Sequence, residues 1–328
     1  MKVRALLAGA IALGFSSLPC SVVHASSASN YPTQAIRAIV PFPAGGINDT
    51  VGRLVLNKLA TTLGAEVVID NRPGAGGMIG TKIAVDSATD GYTILLGAAS
   101  TISVAPNLYK EAKYRPEKDL VAVGGIASVA SVLVAGANSS FKNLEDVLAA
   151  AKRNPGELNY GSAGAGTSHH VQTELLALQA GVKLTHVPYK GGAPAMTDLI
   201  GSQIQLLLEP LPTALPHIKA QRVKALGITV RERSPLLPTV PTFIEAGVKD
   251  YSASTWFGVF APAGTPGTIV EKLSQALFTT LKDPALQADL RARGIEPMAM
   301  QRKAFEKFVA SEDKVWNQVI QEAKLQVQ

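Results

Sequence analysis

The sequence has 328 residues, 47% of them hydrophobic, and a formal net charge of +6 at pH 7. This length and apolar content suffice for about two packed domains and exclude an intrinsically disordered chain. The mild basic excess contains no block of basic residues, so the sequence lacks the electrostatic footprint of a nucleic-acid-binding protein.

The amino terminus has the pattern of a secretory signal peptide. Lys2 and Arg4 precede an apolar run, and Val23 and Ala25 occupy the −3 and −1 positions of a cleavage site after Ala25. The run of about 14 apolar residues is shorter than the roughly 20 that a membrane-spanning helix needs, so we predict a cleaved signal rather than an anchor. Cleavage removes Cys20, the single cysteine, and excludes thiol catalysis, disulfides and cysteine-bound metal in the mature chain.

Strand-like and helix-like runs then alternate along most of the chain. The predicted strands are Ile36–Val40, Glu66–Asp70, Tyr92–Gly97, Leu158–Tyr160, Leu184–Val187, Gln205–Leu208, Lys224–Ile228 and Trp256–Ala261. The predicted helices are Val51–Leu63, Ile79–Ser87, Leu144–Arg153 with Asn143 as N-cap, His169–Ala180, Ala193–Ile200 and Leu211–Ala220. Such alternation is typical of parallel sheets covered by helices, so the predicted fold class is α/β.

An uncharged stretch from Leu120 to Phe141 is nominally long enough to cross a membrane. Gly124–Gly125 and scattered serines divide it into two β-branched runs. We therefore predict two short buried strands, Val121–Ile126 and Val132–Ala137, rather than a membrane span.

The carboxyl-terminal tail has a different pattern. After Pro266 we predict three helices with no strand between them. Apolar residues recur at helical spacing in the last helix: Phe305, Phe308, Val309, Val315, Trp316, Val319 and Ile320. We expect this stripe, including Trp316, to pack on the rest of the protein rather than to contact a ligand.

Two strand-to-helix corners are similar to each other. The strand ending at Asp70 runs into "NRPGAGGMIGTKIA", and the strand ending at Tyr160 runs into "GSAGAGTSHHVQTE". This weak internal echo predicts two lobes of similar design that face one another across a cleft. In open α/β sheets, ligands bind at this carboxyl edge of the strands.

Three glycine corners offer backbone N–H groups rather than reactive side chains: Gly45–Asn48, Gly74–Gly77 and Gly164–Ser168. Glycine lets the backbone approach a ligand closely, and the first N–H groups of the following helix have no partner within it. Together with the positive end of the helix dipole, these amides suit a carboxylate without any cationic side chain.

Other functions fit these residues less well. The glycines of "GAGGMIG" have the spacing G-x-G-x-x-x-G and lack the acidic residue of a dinucleotide site after the next strand. Ser162 directly follows Gly161, so the G-x-S-x-G pattern of a hydrolase is absent. His169, His170 and His186 have neither H-E-x-x-H spacing nor cysteine partners for a metal.

Seven segments, in order along the chain, resemble the Bug-type receptors of tripartite tricarboxylate transporters. They are "YPTQAIRAIVPFPAGGIND", "VIDNRPGAGGMIGT", "ATDGYTILLG", "LNYGSAGAGTSHHVQTELL", "HVPYKGGAPAMTDLIGSQIQ", "LPTALPHIKAQRVKALGIT" and "WFGVFAPAGTP". The resemblance runs from about Tyr31 to the carboxyl terminus. It implies a type II-like periplasmic binding protein, with no enzymatic activity and no cofactor. Each of its two lobes would be a mostly parallel sheet flanked by helices, with two crossing strands as the hinge.

The resemblance also implies domain bounds. The predicted signal peptide is residues 1–25. The first lobe would comprise residues 26–127 plus 255–328, and the second lobe residues 128–254. The crossings would be Leu120–Ala137 and Ser254–Ala261. The implied ligand is a small mono- or dicarboxylate that a monomeric receptor delivers to the membrane components of a tripartite transporter. The alternative is an orphan receptor that presents its ligand to a membrane sensor kinase.

A set of ligand contacts follows from the same resemblance. In "PFPAGGIND", Phe42 would form a wall while Ala44, Gly45 and Asn48 donate hydrogen bonds. Asp49 either caps the following helix, which we favour, or contacts bound water or a ligand amine.

The second lobe would clamp a carboxylate with Ser162, Gly166, Thr167 and His170. The remaining predicted contacts are Asn71, Ser100, Thr101 and Tyr189. Tyr189 would close over the ligand, and a packed tyrosine is the alternative.

Some positions depart from the family's pattern. Ile47 and Asn48 stand where the family often has proline and a hydroxyl residue. Glu209 stands where an aspartate or a small residue is common, and we expect it to face solvent. For Arg72 and Lys190 the sequence leaves open whether they reach the cleft.

Overall fold

The computed structural model of the protein describes residues 30–109 and 112–325. The predicted signal peptide, including Cys20, lies outside the described residues and stays a prediction. Within the described ranges, no helix is long and apolar enough to cross a membrane.

Strands and helices alternate along the chain as predicted. The strands are β1 (Ile36–Val40), β2 (Val67–Asn71), β3 (Thr93–Ala98), β4 (Leu120–Gly136), β5 (Asn159–Ser162), β6 (Thr185–Pro188), β7 (Leu206–Pro210), β8 (Val223–Ile228), β9 (Ser254–Pro262) and β10 (Ile295–Gln301). The helices are α1 (Ile47–Leu63), α2 (Met78–Val85), α3 (Ala105–Leu108), α4 (Pro116–Asp119), α5 (Leu144–Arg153), α6 (Ser168–Ala180), α7 (Gly192–Ile200), α8 (Leu211–Lys219), α9 (Gly267–Leu281), α10 (Pro284–Ala292) and α11 (Arg302–Glu322). A 3-10 turn, Ala75–Gly77, precedes α2, and a π-helical turn, Ser100–Val104, precedes α3.

The strands pair in the order β2-β1-β3-β9-β4-β7-β5-β6, and β8 and β10 also pair with β4. Strands β1, β2 and β3 are mutually parallel, as are β5, β6 and β7. The long strands β4 and β9 run antiparallel to each other between these two groups. This arrangement confirms the predicted α/β class with two crossing strands. From Pro32 onward the chain forms one compact unit, so the lobe bounds stay predictions.

Strand β4 corrects one prediction, because it is a single strand of 17 residues rather than two short strands. The strand continues through its glycines, and its register with β9 shifts around them. A Cβ added at Gly125 would lie 2.7 Å from Phe305 Cδ2, and one at Gly124 would lie 2.9 Å from the carbonyl oxygen of Met300. The glycines therefore let α11 and β10 approach β4 closely.

The tail corrects a second prediction, because β10 lies between α10 and α11 and pairs antiparallel with β4. The apolar periodicity of the sequence did not predict this strand, because Ile295 is the only buried residue of β10. In α11 the apolar stripe packs as predicted at Trp316, which is 3% exposed, whereas Val315 is 50% exposed. The start of α5 is also confirmed, because Asn143 Oδ1 accepts a hydrogen bond from the N–H of Asp146 at 2.8 Å.

The sequence of strand β7 is a continuous apolar run because the strand is central and both of its faces are buried. Leu206 and Leu208 belong to one core cluster, while Leu207 belongs to another on the opposite face. Helices cover both faces of this part of the sheet, so every residue of β7 is buried. The polar residue that ends the run, Glu209, is buried with the rest.

Candidate functional site

The first candidate loop ends where α1 begins. Helix α1 starts at Ile47, earlier than the predicted Val51, and its N-cap is Gly46. The prediction that Asp49 is the N-cap is therefore wrong, because this residue lies inside the first turn. No side chain caps α1, so the N–H groups of its first turn have no partner within the helix. Ala44, in the same loop, is exposed.

Asp49 braces this loop from inside. It accepts hydrogen bonds from the N–H of Gly45 at 3.0 Å, from Arg53 Nε at 2.9 Å and from Asn71 Nδ2 at 3.0 Å. Asn71 Nδ2 also donates to the carbonyl of Phe42 at 3.1 Å. Burial alone raises the pKa of the Asp49 carboxyl, but the hydrogen bonds from Arg53, Gly45 and Asn71 outweigh it and hold the pKa below its usual value. The Asp49–Asn71 pair thus fixes the loop's shape.

The loops that follow β1, β2 and β3 converge. A Cβ added at Gly77 would lie 2.6 Å from Thr101 Cγ2 and 3.0 Å from Phe42 Cζ. Thr101 Oγ1 bonds to the backbone of Ala98, accepting from its N–H at 3.1 Å and donating to its carbonyl at 3.2 Å. Both Ser100 and Thr101 are buried. Glycine at position 77 is therefore what allows these three loops to meet.

In the second candidate loop, polar groups bond mainly to one another. Ser162 Oγ lies 2.6 Å from His186 Nε2 and accepts from the N–H of Gly164 at 3.1 Å. The N–H of Gly166 donates to His170 Nδ1 at 3.1 Å. The structure thus brings together the residues of the predicted clamp, and it adds His186, whose separation in sequence concealed its role.

His170 and His186 are neutral supports of this loop. Their rings stack with centroids 4.0 Å apart, and Tyr160 stacks on His186 at 5.1 Å. Burial, with the neighbouring His186, lowers the pKa of His170 to about 3, and burial lowers the pKa of His186 to about 4. Each ring can therefore accept a hydrogen bond at neutral pH, from Gly166 and from the Ser162 hydroxyl respectively.

Helix α6 begins directly after this loop, at Ser168. Its N-cap is Thr167, whose hydroxyl donates back to the carbonyl of Gly164 at 2.6 Å instead of capping the helix. The first N–H groups of α6 consequently have no partner within the helix. Helix α9 also starts without a side-chain cap, so this feature matters only because it coincides with a glycine loop.

The segment after β3 and the corner Gly74–Gly77 both lie against the second glycine loop, Gly164–Ser168. Tyr109, which ends the segment after β3, donates from its hydroxyl to the carbonyl of Ala165 at 2.7 Å. A Cβ added at Gly76 would lie 3.2 Å from the same carbonyl, and one at Gly166 would lie 3.0 Å from Tyr109 Cε2. No pattern in the sequence indicated a role for Tyr109, because its partner is 56 residues away.

The predicted contact Tyr189 is occupied by a neighbour. Its hydroxyl donates to Asp198 Oδ2 at 2.8 Å, and its ring lies against Gly161. Burial, together with Asp198, raises the pKa of Tyr189 to about 12. This arrangement supports the packed alternative, and a ligand contact for Tyr189 stays a prediction.

Glu209 corrects the expectation of a solvent-facing side chain, because it is 4% exposed. One carboxylate oxygen lies 3.0 Å from His169 Nε2, and the other accepts from Thr213 Oγ1 at 2.5 Å. The physical reason is the position of β7, which is buried on both faces. A run of "LLLEP" in a central strand was the sequence signal that could have found it.

The structure assigns no role in ligand binding to Arg72 or Lys190, the two cationic side chains that the sequence left open. Arg72 Nε lies 2.8 Å from Asp70 Oδ1, and Arg37 pairs with the same carboxylate. Lys190 is exposed. The described part of the chain also has no group of three or more His, Cys, Asp or Glu side chains that could hold a metal ion.

Comparisons with known proteins find a family and solved structures that resemble this chain. The family model described as "Tripartite tricarboxylate transporter family receptor" matches residues 51–325. The periplasmic binding protein BugD is 34% identical with a TM-score of 0.85, and the match covers 91% of this chain and 100% of BugD. An R. palustris protein solved with adipate is 33% identical with a TM-score of 0.87, covering 90% and 99%. MatC from Rhodopseudomonas palustris, solved with bound malate, is 31% identical with a TM-score of 0.83, covering 88% and 100%.

These similarities confirm the resemblance noted in the sequence and the fold class that it implied. The family and the structural neighbours are solute-binding proteins rather than enzymes.

Proposed function

Because this chain belongs to the receptor family of tripartite tricarboxylate transporters, we propose that it is a periplasmic receptor for a small mono- or dicarboxylate. The ligand is held at the carboxyl edge of the strands and delivered to the membrane components of a tripartite transporter. The neighbours solved with adipate and with malate support a carboxylate as the ligand.

The observation that carries this proposal is the pair of uncapped helix starts that follow glycine loops. Helix α1 begins after Gly46 and helix α6 after Thr167, both without a side-chain cap. Their free N–H groups and positive dipole ends favour an anion. A cationic side chain is not required.

The number of available amides is sufficient for useful affinity. A micromolar dissociation constant corresponds to about 8 kcal/mol. Charge-assisted hydrogen bonds contribute roughly 1.5–3 kcal/mol each, so four to six of them suffice after the cost of ordering the ligand. An aromatic wall from Phe42 adds apolar contact.

A ligand that contacts both predicted lobes would favour a closed form of the protein. A ligand shifts the open–closed balance only by as much as it binds the closed form better. The two crossing strands β4 and β9 would carry the bending. The contact between Tyr109 and Ala165 belongs to the closed form in this proposal.

The test removes one backbone amide and leaves the side chains of the site in place. Ser168 is the first residue of α6, a position where proline is tolerated and its missing N–H breaks no bond within the helix. Thr167 has φ −73° and ψ 164°, which is compatible with a following proline. Ser168→Ala is the matched control, because it removes the hydroxyl and keeps the N–H.

Calorimetric titration would compare both variants with the unsubstituted protein, using a panel of mono- and dicarboxylates and their neutral amides. We expect Ser168→Pro to weaken carboxylate binding about ten- to hundredfold, the loss of one charge-assisted bond. Ser168→Ala should bind almost as the unsubstituted protein does. Capture by backbone N–H groups is contradicted if the neutral amide analogues bind as tightly as the acids. It is also contradicted if Ser168→Pro has no effect on binding. Continued uptake of the ligand after deletion of the gene contradicts delivery and favours presentation to a sensor kinase.

A further inference from the structure

A buried polar cluster lies beside the start of α6, outside the predicted carboxylate clamp. It consists of His169, Glu209 and Thr213. His169 is the second residue of α6 and is 6% exposed. Among the described residues, Glu209 has hydrogen-bonding contacts with His169, through Nε2 at 3.0 Å, and with Thr213, through Oγ1 at 2.5 Å.

Glu209 fixes the tautomer of His169. A carboxylate only accepts hydrogen bonds, so the Nε2 atom that faces it must carry a proton. In the neutral ring, Nδ1 then has a lone pair and acts as an acceptor. This Nδ1 atom is buried and has no hydrogen-bond partner. Buried acceptors are nearly always satisfied, so an unpaired one indicates a missing partner.

The cluster lies at the edge where the ligand is expected. In the register of β5 with β7, Tyr160 is opposite Leu206 and Gly161 is opposite Leu207. Continuing this register by two residues places Glu209 opposite Ala163, which follows β5 and directly precedes the second glycine loop. Helix α7 begins close by, because a Cβ added at Gly192 would lie 3.1 Å from one Glu209 oxygen and 3.4 Å from His169 Nε2.

The first glycine loop has a matching feature. Asn48 is the second residue of α1, as His169 is the second residue of α6. Its Oδ1 atom is also buried and unpartnered, and the residue is 8% exposed. The starts of α1 and α6 therefore each combine N–H donors with one unsatisfied acceptor. Carboxylates satisfy the donors, and only a group with its own N–H or O–H satisfies the acceptors.

We propose that His169 is a specificity-determining residue whose Nδ1 accepts a hydrogen bond from a hydroxyl or ammonium group of the ligand. The preferred ligand is thus a hydroxy- or amino-substituted carboxylate rather than an unsubstituted one. This inference rests on the proposed function, because it assumes that a carboxylate binds between the two glycine loops. Glu209 is a positioning residue that acts through His169.

The test uses acids that share one carbon skeleton. Succinate, malate and aspartate form one set, and glutarate, 2-hydroxyglutarate and glutamate form a second. Titration calorimetry on the full mature chain gives each dissociation constant. We expect a substituted acid to bind at least tenfold tighter than its parent in one of the two sets. Parent acids that bind as tightly as their substituted forms overturn the inference.

Substitutions assign the preference to one atom. His169→Phe should abolish the preference and leave the parent acid's affinity within about threefold. His169→Asn keeps an acceptor near the position of Nδ1 and should retain part of the preference. His217→Asn is the matched control, because His217 Nδ1 is also buried and unpartnered but lies in the last turn of α8. A preference that survives His169→Phe, or that disappears in His217→Asn, overturns the assignment.

Glu209→Gln distinguishes between a hydroxyl and an ammonium group as the part of the ligand that contacts His169. Glutamine can still accept from His169 Nε2, but it removes the negative charge. We expect the preference for the hydroxy acid to survive and thereby support a hydrogen bond to Nδ1. Loss of the preference for the hydroxy acid in this variant counts against the inference. Binding of a parent acid without any preference refutes the inference alone. Absence of binding by every acid of these sets and of the wider panel of mono- and dicarboxylates refutes the proposed function as well.

Discussion

The stacked pair His170–His186 makes acid stability a direct test of the second glycine loop. His170 Nδ1 accepts a hydrogen bond from the N–H of Gly166, and His186 Nε2 lies 2.6 Å from Ser162 Oγ, so both rings help to hold the loop. Protonation would place two positive charges 4.0 Å apart, measured between ring centroids, in a buried site. We therefore predict that the free energy of unfolding decreases as the pH falls below 6.5.

The sign and size follow from linkage. The pKa is about 3 for His170 and about 4 for His186 in the folded protein, against 6.5 in the unfolded chain. The unfolded chain therefore binds more protons between these values, and stability present above pH 6.5 is lost as the pH falls. At pH 5 both folded pKa values lie below the solution pH, so the loss is about 2 kcal/mol for His170 and less for the partly exposed His186, or roughly 2–4 kcal/mol for the pair.

The assay is urea unfolding at pH 7, 6 and 5, with matched variants as reference. In His186→Gln, an amide oxygen replaces Nε2 as acceptor for Ser162, and in His170→Asn an amide oxygen replaces Nδ1 as acceptor for Gly166. The double variant should lose roughly 2–4 kcal/mol less stability than the unsubstituted protein between pH 7 and pH 5. Parallel losses in the two proteins refute the argument. Comparing slopes removes the opposing effect of buried carboxyls such as Glu312, whose pKa is raised by burial.

Two further predictions concern contacts between loops. Gly77→Ala should destabilise the protein by about 1–3 kcal/mol, because φ is 97° and the new Cβ would lie 2.6 Å from Thr101 Cγ2. Gly267→Ala is the control, since nothing lies within 4 Å of its Cβ, and equal melting temperatures for the two variants count against the packing argument. Tyr109→Phe should favour the open form by about 1 kcal/mol through loss of its bond to Ala165. Small-angle scattering of the ligand-free protein should then show a larger radius of gyration, and an unchanged radius would refute this role.

The local chemistry of the glycine loops could be predicted from the sequence because it depends on neighbouring residues. A helix start after glycine has unpartnered N–H groups wherever the helix packs. Gly46 and Thr167 accordingly precede helices without side-chain caps. The assignment of Asp49 as an N-cap was wrong because the predicted start of α1, Val51, lies four residues after the observed start, Ile47.

Local sequence patterns did not predict the strand pairing, because that pairing depends on residues far apart in the sequence. Strand β10 has one buried residue and little periodicity, and it forms because β4 offers it a free edge. Gly124 and Gly125 indicated a break in β4, but their close contacts with α11 and β10 explain them better. Neither partner is near in sequence.

By itself the sequence determined an α/β chain with glycine corners at strand ends, together with the family to which it belongs. These properties reside in short-range patterns of apolar residues, glycines and helix starts. The tertiary structure alone decided that Glu209 is buried against His169, that His186 supports the loop of Ser162, and that Tyr109 bonds to Ala165 of the second glycine loop. The reason is physical, since a side chain's burial and its hydrogen-bond partner depend on which strands lie side by side, and that order is set by packing across the whole sheet.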